Sequence, residues 1–156
     1  MIDEISLKIL KILQNKARIP NVEVARKVGM APSAVLERIR KLEKQGFIDG
    51  YEVRLNPQRF QRSLVGFIHI SIDKTGAEKT IAEKLAHIEE IQEVHFIAGS
   101  DGYLVKARVA GPTELDRLVR GQIRPIQGVC ATKTSVVLNT IKETARIPID
   151  HLDLQS

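Results

Sequence analysis

Tryptophan is absent from this chain of 156 residues, and two Tyr and four Phe are its only aromatic residues, so any core it builds must be aliphatic. Cysteine is nearly absent as well. Cys130 stands alone, which excludes an internal disulfide and suits a reducing compartment. No apolar run approaches the roughly 20 residues needed to cross a bilayer, and the N-terminus is charged from Asp3 onward with no apolar signal core. A soluble, cytoplasmic protein with no membrane partner is expected. Catalytic signals are missing too. His69, His87, His95 and His151 are scattered without the short spacing of metal ligands, and Cys130 has no recognisable base partner. The stretch "GSDG" lacks the lysine and following helix of a phosphate loop, and no nucleophile–base pair or paired carboxylates emerge. Neither enzyme chemistry, nor a metal, nor a cofactor is expected.

What is present is an ordinary globular composition, 43% hydrophobic and 28% charged, which argues against disorder. The net charge of +5 is unevenly placed. Met1 to Phe60 hold twelve Lys and Arg against seven Asp and Glu, whereas Gln61 to Ser156 hold twelve of each. A polyanion-binding module joined to a neutral partner domain has this asymmetry; so does a plain solvated basic face.

The periodicity divides the same way. "DEISLKILKILQNKARI" puts Ile5, Ile9, Ile12 and Leu13 on one helical face and predicts a helix ending near Ala17. "PNVEVARKVG" gives a shorter second helix closed by Gly29, and a third starts near Pro32, a residue suited to the first helical position, and runs to Gly46. "FIDGYEVRL" alternates around Asp49-Gly50 and predicts a small β-hairpin. "NPQRFQRS" reads as a linker. Beyond it the order is β-α-β-β-α-β, which predicts an antiparallel sheet with both helices on one face, its last strand reaching through "GVCATKTSVVLNTIK". The fold class is therefore α+β. A winged helix-turn-helix domain is expected at residues 1–55, a linker at 56–63, and a ferredoxin-like βαββαβ domain at 64–156.

On a helical wheel the third helix clusters Val35, Leu36, Ile39 and Leu42 on the side that must be buried. Glu37, Lys41 and Lys44 lie opposite, with Ser33, Ala34, Arg38 and Arg40 at the margins. A short helix and a glycine-bearing turn lead into it, as in helix-turn-helix proteins whose second helix enters the major groove of double-stranded DNA. Ser33 and Ala34 are small enough for close approach. Arg38 and Lys41 reach bases or phosphates, Lys44 suits a phosphate, and Glu37 suits a cytosine amine or its Lys41 neighbour.

These residues resemble a known family. "DEISLKILKILQNKARIPNVEVARKVGMAPSAVLERIRKLEKQGFIDGYEVRLNP" is similar to the DNA-binding half of the Lrp/AsnC (feast/famine) transcription regulators. "GSDGYLV" and "ATKTSVVLNTIKETARIPI" resemble their ligand-sensing half. The resemblance implies a homodimer that often assembles to an octamer, with a small effector, typically an amino acid, bound in clefts between dimers. The family usually has Gly-x-x-Asp-Tyr in a turn where this chain has Gly99, Ser100, Asp101, Gly102 and Tyr103. The acidic residue that would hold the effector's α-amino group thus stands one place early, and Gly102 occupies its position. Thr132 and Thr134 match a Thr-x-Thr pair that commonly lines the cleft, and their spacing puts both on one sheet face. Where the family often has Ser or Thr at helix starts, this chain has Pro20 and Ala31, so two side-chain caps are missing. A different class of function fits the same elements: a ferredoxin-like metabolite-binding assembly protein whose N-terminal helices bind protein instead of DNA.

Overall fold

In a computed structural model, residues 2–73, 78–99 and 102–149 are described. The chain divides into two compact units, one made of Met1–Arg54 with Lys142–Ser156 and the other of Leu55–Ile141. The expected span of 64–156 keeps the C-terminal segment with the second domain, whereas in the structure it joins the first. Gln14 explains this: its side-chain amide donates to the Ile147 carbonyl at 2.8 Å and accepts from the Ile147 N–H at 3.1 Å.

The first unit is built on α1 (Glu4–Asn15), α2 (Asn21–Val28) and α3 (Pro32–Lys44). Asp3 caps α1 by accepting the Ser6 N–H at 2.8 Å. The helix stops two residues before Ala17 because Lys16 already leaves helical geometry. Neither Pro20 nor Ala31 makes a side-chain capping bond at the start of α2 or α3. The 3.6-residue pattern sends Ile9, Leu13, Val24, Ala25, Val35 and Ile39 into one aliphatic core, with Ile19 from the intervening loop. Gly29 and Gly46, at φ +70° and +73°, end α2 and α3 in the left-handed conformation that a side chain disfavours. After α3 the Phe47 N–H returns to the Leu42 carbonyl and the Gly46 N–H to Glu43, which closes the helix end.

The hairpin expected around Asp49-Gly50 does not form: no strand is present between 47 and 56. A two-residue type I′ turn needs φ above zero at both central residues, and neither Asp49 nor Gly50 has it. Tyr51 instead donates its hydroxyl to Glu43 of α3 at 2.9 Å. Burial and that acceptor push the phenol up to about 12.

The second unit begins with a 3₁₀ turn, Pro57–Phe60, inside the expected linker. Its sheet comprises β1 (Leu64–Ile72), β2 (Ile91–Ile97), β3 (Gly102–Val109) and β4 (Val129–Val136), ordered β2-β3-β1-β4 with all pairs antiparallel. The helices are α4 (Glu78–Ala86) and α5 (Pro112–Arg117), the latter continuing as a π-helical segment, Leu118–Ile123. Ile68, Ile70 and Ile72 of β1 and Tyr103, Val105, Ala107 and Val109 of β3 pack with Ile81 and Leu85 of α4 and with Leu115, Leu118 and Ile123. The π segment departs from the single α-helix expected there. Its i→i+5 spacing aligns Leu118 with Ile123, and both are buried. The last strand stops at Val136, short of the expected 142, because its partner β1 starts at Leu64 and the Val137 N–H to Val65 carbonyl bond is the last it can offer. Beyond it Leu138 and Ile141 stand almost fully exposed.

Candidate nucleic-acid interface and ligand region

Helix α3 owes its placement to a narrow stripe, Val35, Ile39 and Leu42, each at most 7% exposed. Full burial of such side chains is worth about 1.5–3 kcal/mol each, enough to seat the helix firmly. Leu36, expected in that stripe, stands 36% exposed instead. A stripe one residue narrower suffices, since α3 packs on two short helices. Ser33, Glu37, Arg40, Lys41 and Lys44 are exposed, and Ala34 is half-buried beside the stripe. The outer face is therefore a row of small and charged side chains with one leucine among them. Sequence reasoning missed that leucine because the wheel angle of Leu36 lies next to the buried side.

Arg38 is oriented differently. Its guanidinium turns toward α1 and donates to Asp3 at 2.5 Å and to the Ser6 hydroxyl at 3.0 Å. Ser6 is itself 93% removed from solvent, at 7% exposure. The Ser6 N–H and then Arg38 hold the Asp3 carboxyl down at about 2. No signal in the sequence separates Arg38 from Arg40. Only the fold brings Asp3 and Ser6 beside it.

In the second unit the ligand-region residues divide between the two faces of the sheet. Ser100 and Asp101 lie outside the described residues. Gly99 is in the turn before β3, at φ +88°. Phe96, Tyr103, Ile70 and Thr132 lie abreast across four strands, and Ile68 pairs with Thr134, so Tyr103 and both threonines share the helix-covered face. Tyr103 is buried and its ring meets Phe96 edge-on at 5.3 Å. Thr132 is half-buried on the edge strand, and its hydroxyl accepts from Arg124 Nε at 3.0 Å, a partner the sequence did not suggest. Tyr103 and Thr132 are separated by a strand, about 9–10 Å at ordinary strand spacing.

Gly102 pairs with Ser71 on the other face. A Cβ built there falls 1.9 Å from the Ile70 carbonyl oxygen, so the close strand approach excludes any side chain without a backbone shift. The acidic residue usual at this position has no room here. Among the described residues, then, Tyr103, Thr132 and Thr134 share one face of the sheet and Gly102 points to the other. The face opposite the helices presents Phe67, His69, Leu104 and His95, with Lys106 bonded to Glu93 at 3.0 Å. Among the described residues no cluster of three or more His, Cys, Asp or Glu could hold a metal ion, and no helix is long and apolar enough to cross a membrane.

Two family models match the chain. One is described as winged helix-turn-helix DNA-binding, at residues 2–49, and the other as the Lrp/AsnC ligand binding domain, at residues 65–147. The leucine-responsive regulatory protein of Escherichia coli K12 is 38% identical over 153 residues, covering 95% of this chain and 92% of its own. A transcriptional regulator of Neisseria meningitidis, solved as a complex with L-Met, superposes with a TM-score of 0.93 at 29% identity, covering 97% of this chain and 99% of that one. The leucine response regulatory protein of Mycobacterium tuberculosis does so with a TM-score of 0.80 at 31% identity, covering 94% and 100%. The likeness to these regulators thus runs along nearly the whole length of the chain. The chain belongs to the Lrp/AsnC family: it is a DNA-binding transcriptional regulator with a ligand-binding domain, not an enzyme.

Proposed function

We propose that α3 enters the major groove, with Ser33 and Ala34 allowing close approach, Glu37 and Lys41 over base edges, and Arg40 and Lys44 on phosphates. The observation that carries this is the exposed charged face of α3 above its fully buried stripe. The chain acts as a homodimer, with octamers built from dimers, in the cytoplasm. The uncovered sheet face, with Phe67 37% exposed beside Leu104, is the dimer surface that spaces two α3 helices. Its operator is then roughly palindromic, with half-sites one helical turn or a multiple apart. The effector is a small molecule of the amino-acid class, held between dimers at Thr132, Thr134 and the Gly99–Tyr103 turn. Support for that class comes from the Neisseria relative solved with L-Met. Such an effector shifts DNA occupancy only by binding one assembly state better than another. Genomic binding-site mapping with and without an amino-acid pool tests both halves. A palindromic motif whose occupancy responds to the pool is expected; occupancy without a shared motif would overturn the reading.

A further inference from the structure

Helix α3 is held by two kinds of contact. Val35, Ile39 and Leu42 supply apolar burial, which is strong but non-directional. The glycines before and after it, Gly29 and Gly46, have nothing within 4 Å of where a Cβ would sit, so the turns at its ends stand in open space. Apolar seating by itself does not fix the rotation of the helix about its axis. A roll of about 20° at a side-chain radius of about 6 Å moves an outer atom by roughly 2 Å, more than a base contact tolerates. Two directional side-chain contacts oppose the roll, Tyr51 to Glu43 near the end of α3 and Arg38 to the first turn of α1. A single Asp3 carboxylate caps α1 through the Ser6 N–H with one oxygen and receives the Arg38 guanidinium on the other, while the Ser6 hydroxyl takes a second bond from the same guanidinium nitrogen.

We infer that Arg38 is a positioning residue. It fixes the rotation of α3 against the first turn of α1, and so which side chains face the duplex, without touching DNA itself. Its charge is already matched by Asp3, whereas Arg40, Lys41 and Lys44 carry theirs on the exposed side. The planar guanidinium, with one nitrogen donating both to Asp3 and to Ser6, is pre-organised in direction where the flexible ammonium of a lysine is not. The inference rests on the reading that α3 faces DNA.

The test uses the full chain and a duplex selected by it from a random pool, with affinity for that duplex and for unrelated DNA measured across a salt series. Asp3→Asn keeps a capping oxygen but removes the charge that holds Arg38, and Arg38→Lys keeps the cation but replaces the planar guanidinium by a flexible ammonium. Both are expected to lower the ratio of specific to non-specific affinity about tenfold, the scale of one lost base contact, with an unchanged slope of log affinity against log salt. Non-specific binding, retained in both variants, reports that each still folds. A direct phosphate contact predicts the opposite sign. Asp3→Asn would then free Arg38 and tighten binding, and Arg38→Met would lower the slope by about one; either result overturns the inference. Failure of the underlying reading has its own signature: Lys41→Ala would leave affinity and slope unchanged, and the positioning role would fall with it.

Discussion

Among the described residues the core cluster of the helical unit holds seven residues, all aliphatic and nearly all spaced by the helical period, with Leu42 buried beside them, whereas that of the sheet unit holds fourteen, drawn from strands and helices far apart in sequence. The difference sets what each can be asked to do. A small core with one narrow stripe under α3 leaves most of that helix outside, available for contact. The larger core is sandwiched between two helices and one face of a sheet, and it leaves the opposite face uncovered. Charge divides less sharply: Met1–Arg54 with Lys142–Ser156 hold thirteen Lys and Arg against ten Asp and Glu, and Leu55–Ile141 hold eleven against nine, so the cationic face of α3 is a local feature of that helix and not of its unit. The unit with the thinner core carries the polyanion-facing charge, and the unit with the thicker core carries the ligand region.

Core truncation is the most forceful way to break this contrast. Ile9 and Leu85 are both fully buried, one in each core, and either change to Ala is expected to cost about 2–5 kcal/mol. Urea unfolding followed by a probe in each unit should show each variant lowering the midpoint of its own unit. Equal shifts of both midpoints would mean that the units unfold as one. Gly102→Asp restores the acidic residue usual in the family, yet it should destabilise the sheet unit by about 3 kcal/mol, because the Ile70 carbonyl fills the space a Cβ needs. A variant as stable as the wild type would show that the strands part easily. Lys41→Ala with Lys44→Ala should reduce the salt slope of DNA binding by about two, while Lys133→Ala on the sheet unit should leave it unchanged. A slope altered only by the last would move the DNA-binding charge to the sheet.

Smaller effects test how the first unit is finished. Gln14→Ala removes both bonds to Ile147 and should destabilise the helical unit by about 1 kcal/mol, with hydrogen exchange at the Ile147 amide becoming fast. Slow exchange in the variant would show another anchor for the C-terminal segment. The smallest effect is acid-dependent. The Asp3 carboxyl is held at about 2, below its ordinary 3.8, so its contribution to stability is present above about pH 4 and is lost as pH falls through about 2. Asp3→Asn should flatten the stability difference between those two pH values, as read by thermal melts, by lowering stability slightly at neutral pH and leaving it nearly unchanged near pH 2. The partial exposure of Asp3 keeps this effect small.

Some of the molecule was written locally. Ile5, Ile9, Ile12 and Leu13 recur at the helical period, and Pro32 and Gly46 bracket α3, so three helices and the charged outer face could be read directly. The βαββαβ order was equally readable from the change in period after the linker. Leu36, the absent hairpin at Asp49-Gly50 and the early end of β4 at Val136 were not, because each depends on whether a partner is within reach and not on the residue's own preference.

Local sequence, then, determined the element types, the excess of cations in the first part and the largely aliphatic nature of both cores, since side-chain period, charge and size act over one or two turns of chain. Tertiary structure alone decided that Arg38 turns inward to Asp3 and Ser6, that Gly102 lies where no side chain fits, and that Gln14 holds Ile147. Those contacts join residues up to 133 positions apart, and a distance of that kind is set by the packing of whole elements, not by any stretch of sequence.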